Sequence, residues 1–111
     1  MVTVEEYRDR VQQLLAEYQK PKSLQDGVET LLVADKEGDH YQLVNVGWDN
    51  ERRVYGVAIH IDIRENKIWL QQNLTDQLVA EDLVALGIPK EHIVLGFQPA
   101  YMRKYTEFAV N

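Results

Sequence analysis

The 111-residue chain contains no cysteine, which excludes disulfides and thiolate metal centres and leaves the redox compartment undecided. No apolar run approaches the ~20 residues needed to span a bilayer. The opening Thr3-Val4-Glu5-Glu6 is neither a basic nor an apolar leader. The expectation is a cytoplasmic protein without membrane association. Basic charge is also scarce. Twelve Lys and Arg stand against eighteen Asp and Glu, net −6. That makes unaided DNA binding a poor default, because non-specific affinity comes largely from neutralising phosphates. The pairs Lys20 and Lys22, Arg52-Arg53 and Arg103-Lys104 are offset by nearby acids or too short to form a stripe. Gly-rich phosphate loops, nucleophile elbows and the HExxH and CxxC motifs are absent. So are internal repeats and low-complexity linkers, and one domain over residues 1–111 is expected.

What is present reads as an α+β domain. Thr3 with Glu6 makes a capping box. Val4, Tyr7, Val11, Leu14, Leu15 and Tyr18 then recur at helical spacing, which predicts an amphipathic helix ending near Lys20, before Pro21. A loop over Pro21 to Gly27 leads to a first strand, Val28 to Lys36, and a turn at Glu37-Gly38. Two further hairpins, turning at Asn50-Glu51 and Glu65-Asn66, give an antiparallel β-meander of about four strands. A second helix follows, capped by Asn73 or Thr75, running through Leu86 and closed by Gly87 as a left-handed cap. Short strands at Ile93–Phe97 and Phe108–Val110 complete the expected order.

The alternation implies a register. Placing Trp48 opposite Arg53, Val46 opposite Tyr55 and Val44 opposite Val57 puts two apolar sets on one face. Ile63 opposite Ile68 and Ile61 opposite Leu70 extend that face. It is the expected core face and includes Trp48. The other face then holds Tyr41, Leu43, Asn45, Val54, Ala58, His60, Asp62, Trp69 and Gln71. That mixed surface is covered either by the C-terminal segment or by a partner, and Trp69 is the natural anchor of a contact there.

Chemistry is thin. His60 and Asp62 share a strand face, but a metal site wants a third ligand, and this register turns His40 to the core side. The expectation is a locally hydrogen-bonded histidine, partnered by Asp62 or Tyr41. No catalytic, metal or cofactor residue is assigned. Tyr41, His60, Asp62 and Trp69, with Arg52 and Arg53 at the hairpin tip, are the candidate partner-binding residues. A homodimer through the mixed face or a free sheet edge is expected.

Several runs, in order and spacing, resemble the XisI family, the fdxN element excision controlling factors of cyanobacteria. They are His40-Tyr41-Gln42-Leu43, Val46-Gly47-Trp48-Asp49, Glu51 to Gly56, His60-Ile61-Asp62-Ile63, Lys67-Ile68-Trp69, Gly87 to Glu91, Ile93 to Phe97 and Tyr105 to Val110. The chain departs from the family pattern at Gln98-Pro99-Ala100, where a histidine and second proline are common, and at Glu65-Asn66, where Asp-Gly is common. The resemblance implies a non-enzymatic accessory protein in programmed DNA excision during heterocyst differentiation. It implies contact with an XisH-type companion and indirect association with a recombinase–DNA complex. A direct DNA-binding specificity factor is the alternative; it requires folding to gather Arg52, Arg53, Arg103 and Lys104.

Overall fold

The computed structural model describes residues 3–19 and 27–111. The expected loop at Pro21 and the Lys20/Lys22 pair lie outside them, apart from Gly27 at the loop's end. The first helix, α1 (Val4–Gln19), starts at the anticipated capping box. Thr3 N donates to Glu6 Oε2 at 3.1 Å, and Glu6 N donates to Thr3 Oγ1 at 3.2 Å. Its buried stripe is Tyr7, Val11, Leu14 and Leu15.

Four antiparallel strands follow as a meander: β1 (Val28–Asp35), β2 (His40–Asp49), β3 (Arg52–Arg64) and β4 (Lys67–Asn73). At the second hairpin Glu65 and Asn66 both take positive φ, 53° and 63°, as a two-residue primed turn requires. Helix α2 spans Val79–Ala85, starting later than expected. Asn73 and Thr75 instead build a loop turn: Asn73 Oδ1 accepts from Thr75 N at 2.9 Å, and Thr75 Oγ1 accepts from Gln77 N at 3.1 Å. The end of α2 is as expected. Gly87 (φ 98°) donates to Val84 O and Ile88 donates to Leu83 O, the paired bonds of a Schellman cap. A 3₁₀ turn (Lys90–His92) leads into β5 (Ile93–Leu95), which pairs parallel to β4. A last short helix, α3 (Ala100–Arg103), precedes a bridge from Ala109 back to Val94.

Tyr41, Leu43, Ile59, Ile61, Ile63, Ile68 and Leu70 meet α1, α2, Ile88 and Ile93 in one buried cluster. The hairpin pairs expected from the alternation are present: Val44↔Val57, Val46↔Tyr55, Trp48↔Arg53, Ile63↔Ile68 and Ile61↔Leu70. The ladder between them is interrupted. Leu43 pairs with Ile59 while Val44 pairs with Val57, so Ala58 is an extra, unpaired residue on β3. Leu74 N donates to its carbonyl at 2.8 Å, so the bulge leaves no orphan there.

This one residue reassigns both faces. Tyr41 and Leu43 join Ile59, Ile61 and Ile63 under the helices. Val44, Val46, Trp48, Tyr55 and Val57 lie on the opposite, outer face, together with His60, Asp62 and Trp69. Trp48 is therefore not a core residue: it is 53% exposed. Tyr41, expected beside His60, is fully buried on the other side of the sheet.

Candidate functional site

The bulge also brings His40 onto the face of His60 and Asp62, and these three form the chemically densest cluster among the described residues. His40 opens β2 and pairs with Asp62 of β3. Its position is fixed from the neighbouring residue. Asp39 takes a left-handed turn conformation (φ 60°), and its carboxylate receives a two-pronged bond from Arg8 of α1, Nε at 2.7 Å and Nη2 at 3.1 Å. The Tyr41 hydroxyl donates to the same carboxylate at 3.2 Å. The Arg8 bond is the main cause holding the Asp39 carboxyl below its ordinary range, against the opposing effect of burial. Helix, turn and strand are thus tied together beside His40.

Asp62 is the hub. His40 Nδ1 lies 2.6 Å and His60 Nε2 2.7 Å from its Oδ1. Gln71 Nε2 donates to Oδ2 at 3.1 Å, and Arg64 Nη2 approaches the same oxygen at 3.4 Å. Gln71 reaches it because it is itself an extra residue: His60 pairs with Gln72 and Ile61 with Leu70. Asp62 is only 5% exposed. Burial alone would raise its carboxyl, but the hydrogen bonds from His40, His60 and Gln71 together hold it below the usual carboxylate range. Its bond to His40 raises that imidazole above the ordinary histidine range. Gln42 Nε2 lies 3.1 Å from His60 Nδ1 and sets the ring's second hydrogen bond. The His40 side chain is half exposed, so the cluster opens to solvent on that side.

The remaining candidates are dispersed. Trp69 pairs with Asp62, but α3 comes down over it. Arg103 and Arg64 stand 5.2 and 5.3 Å from its ring centre, and its buried Nε1 has no hydrogen-bond partner among the described residues. Trp69 is thus half-buried, with two guanidinium groups over its ring. Arg53 lies 5.3 Å from the Trp48 ring at the far end of the hairpin. Arg53 and Asp62 are nine positions apart on β3, about 30 Å of strand. Arg52 and Arg53 therefore do not join Arg103 in a basic patch. His92 faces inward, its Nδ1 hydrogen-bonded to the Tyr7 hydroxyl.

The residues that reasoning from sequence missed are His40 and the outer apolar strip: Leu31 (40% exposed), Val33 (47%), Trp48 and Tyr55 (74%), with half-buried Val44, Val46 and Val57. The available signal was a change of phase in β2. Its apolar residues switch from odd positions (Tyr41, Leu43) to even ones (Val44, Val46, Trp48), opposite an unbroken odd run in β3. Both strands can keep their partners only if one residue is inserted.

Fold and site define a small α+β protein whose mostly antiparallel sheet is buried on one face by helices and carries an apolar and histidine-bearing second face. The family model described as XisI protein matches residues 1–110, and the chain belongs to the XisI family. It is similar to a crystallised XisI-like protein from Anabaena variabilis ATCC 29413, with 47% identity over 96% of this chain and 97% of that one, TM-score 0.89. It is also similar to a crystallised fdxN element excision controlling factor XisI from the same organism. There the identity is 32% over 95% of this chain and 96% of that one, TM-score 0.80. Comparison with curated proteins finds no match. No helix among the described residues is long and apolar enough to cross a membrane.

Proposed function

We infer that this chain controls excision of a DNA element as a non-enzymatic accessory factor, working by contact with an XisH-type companion protein. The similarity to a fdxN element excision controlling factor supports the role in excision. The observation that carries the contact mechanism is the outer sheet face. Leu31, Val44 and Val57 stand side by side across β1, β2 and β3, flanked by Val33, Val46, Trp48 and Tyr55. A contiguous apolar surface of this kind marks an interaction site in a small protein. Trp48 and Tyr55 supply the aromatic side chains that dominate binding hot spots. In this reading the occupant is the companion, and a second copy is the outcome that the test below separates from it.

Co-purification tests this reading. The companion should be retained by the native chain at micromolar concentration and lost by the Trp48→Ala, Tyr55→Ala pair. Failure of the native chain to associate would contradict it. A tight dimer of the isolated chain that the same pair dissolves would assign the face to a second copy.

A further inference from the structure

We propose that His40, His60 and Asp62 form a binding site for one divalent transition-metal cation of the zinc class, pinned between β2 and β3. Two imidazoles and one carboxylate suit such ions and not magnesium or calcium, which prefer all-oxygen shells. The three ligand atoms already converge, none more than 4.8 Å from another. Around a zinc-sized ion, with bonds of about 2.0–2.2 Å, ligand atoms stand about 2.9–3.5 Å apart. The present 2.6 and 2.7 Å separations therefore need to open by under about 1 Å, while a pair as far apart as 4.8 Å needs to close to about 3.5 Å. Half-exposed His40 can make that movement freely.

Supporting bonds of the sort a metal site needs are also in place. Gln71 fixes the carboxylate through Oδ2 and leaves Oδ1 for the ion. Gln42 stands at the far nitrogen of His60. When Nε2 carries the metal, the ring proton sits on Nδ1, and Gln42 turns its amide oxygen to accept it. Arg64 is the opposing charge. Its contact at 3.4 Å is loose, and its guanidinium already leans over Trp69, so an ion displaces it without unpairing it. Three protein ligands leave at least one position open toward solvent on the His40 side, for water or a donor from outside. The site is independent of the docking role proposed above.

The test uses the full, tag-free chain stripped of metal, titrated with Zn²⁺ by calorimetry and with Co²⁺ by visible absorption at pH 7.5. Saturation at one ion per chain with micromolar or tighter affinity, a cobalt ligand-field band and a raised melting temperature are expected. His40→Ala, at a half-exposed position, should keep the native circular dichroism and weaken Zn²⁺ at least tenfold. Asp62→Asn, which preserves shape, should do the same. Absence of saturable one-to-one binding, or binding weakened less than tenfold in both variants, would overturn the proposal.

Discussion

Leu43 of β2 sits directly opposite Ile59 of β3, although the next residue on β2, Val44, sits opposite Val57. The intervening Ala58 turns Tyr41 and Leu43 toward the helices and leaves His40 beside Asp62 on the outer face. Deleting Ala58 removes that offset. Either Tyr41 and Leu43 leave the core or the hairpin pairs slip, and losing two fully buried side chains costs about 3–6 kcal/mol. Urea unfolding should show that loss, and a deletion variant within 1 kcal/mol of native would contradict the role given to the bulge.

The two faces should respond oppositely to truncation. Ile61 is fully buried, so Ile61→Ala should cost about 2–5 kcal/mol. Tyr55 is largely solvent-exposed, so Tyr55→Ala should change stability by less than about 1 kcal/mol. Parallel denaturant titrations compare them, and similar losses at both positions would mean that the outer face is structural.

Gly47 supplies a steric test at the β1–β2 pair. Its φ is 153°, and an added Cβ would lie 1.8 Å from the Gly27 carbonyl oxygen and 2.7 Å from Val28 Cα. Backbone atoms cannot yield as a side-chain tip can, so Gly47→Ala should destabilise by about 1–3 kcal/mol. Gly87 has open space around it, and Gly87→Ala should cost only the left-handed backbone preference, about 1 kcal/mol. Thermal melts of the two variants should rank in that order.

Alkaline pH reports on the contact between α1 and α2. Burial first, and then its bond to Asp82, push the Tyr18 phenol well above the ordinary tyrosine range. Burial, followed by its bond to Asp39, pushes Tyr41 up to about 12. With folded values above unfolded ones, both contributions are intact below about pH 10 and decline as pH rises past it. Tyr18→Phe should flatten the loss of urea stability between about pH 10 and 11. An unchanged slope would mean that Tyr18 ionises as freely as in the unfolded chain.

The elements themselves were legible because they rest on local chemistry: the Thr3–Glu6 capping box, the spacing of Tyr7 to Leu15, the two-residue turns and the Gly87 cap. Facing was legible only within each half of the β2–β3 hairpin. When both sides of a sheet carry apolar residues, alternation does not say which side is buried, and a bulge joins two alternating runs without a break. For that reason Trp48 read as core and Tyr41 as surface. His60 and Asp62 were visible as neighbours, but their third member, His40, depended on the bulge. Cover over Trp69 by the C-terminal segment or a partner was expected from the mixed face, but that Arg103 of α3 supplies it is a long-range contact that no local pattern encodes.

The central functional claim is that the outer apolar face receives an XisH-type companion, and co-purification of the two proteins tests it most directly. The native chain should retain the companion at micromolar concentration, and the folded Trp48→Ala, Tyr55→Ala pair should lose it. A companion that ignores the native chain, or that binds the altered face equally well, would contradict the account.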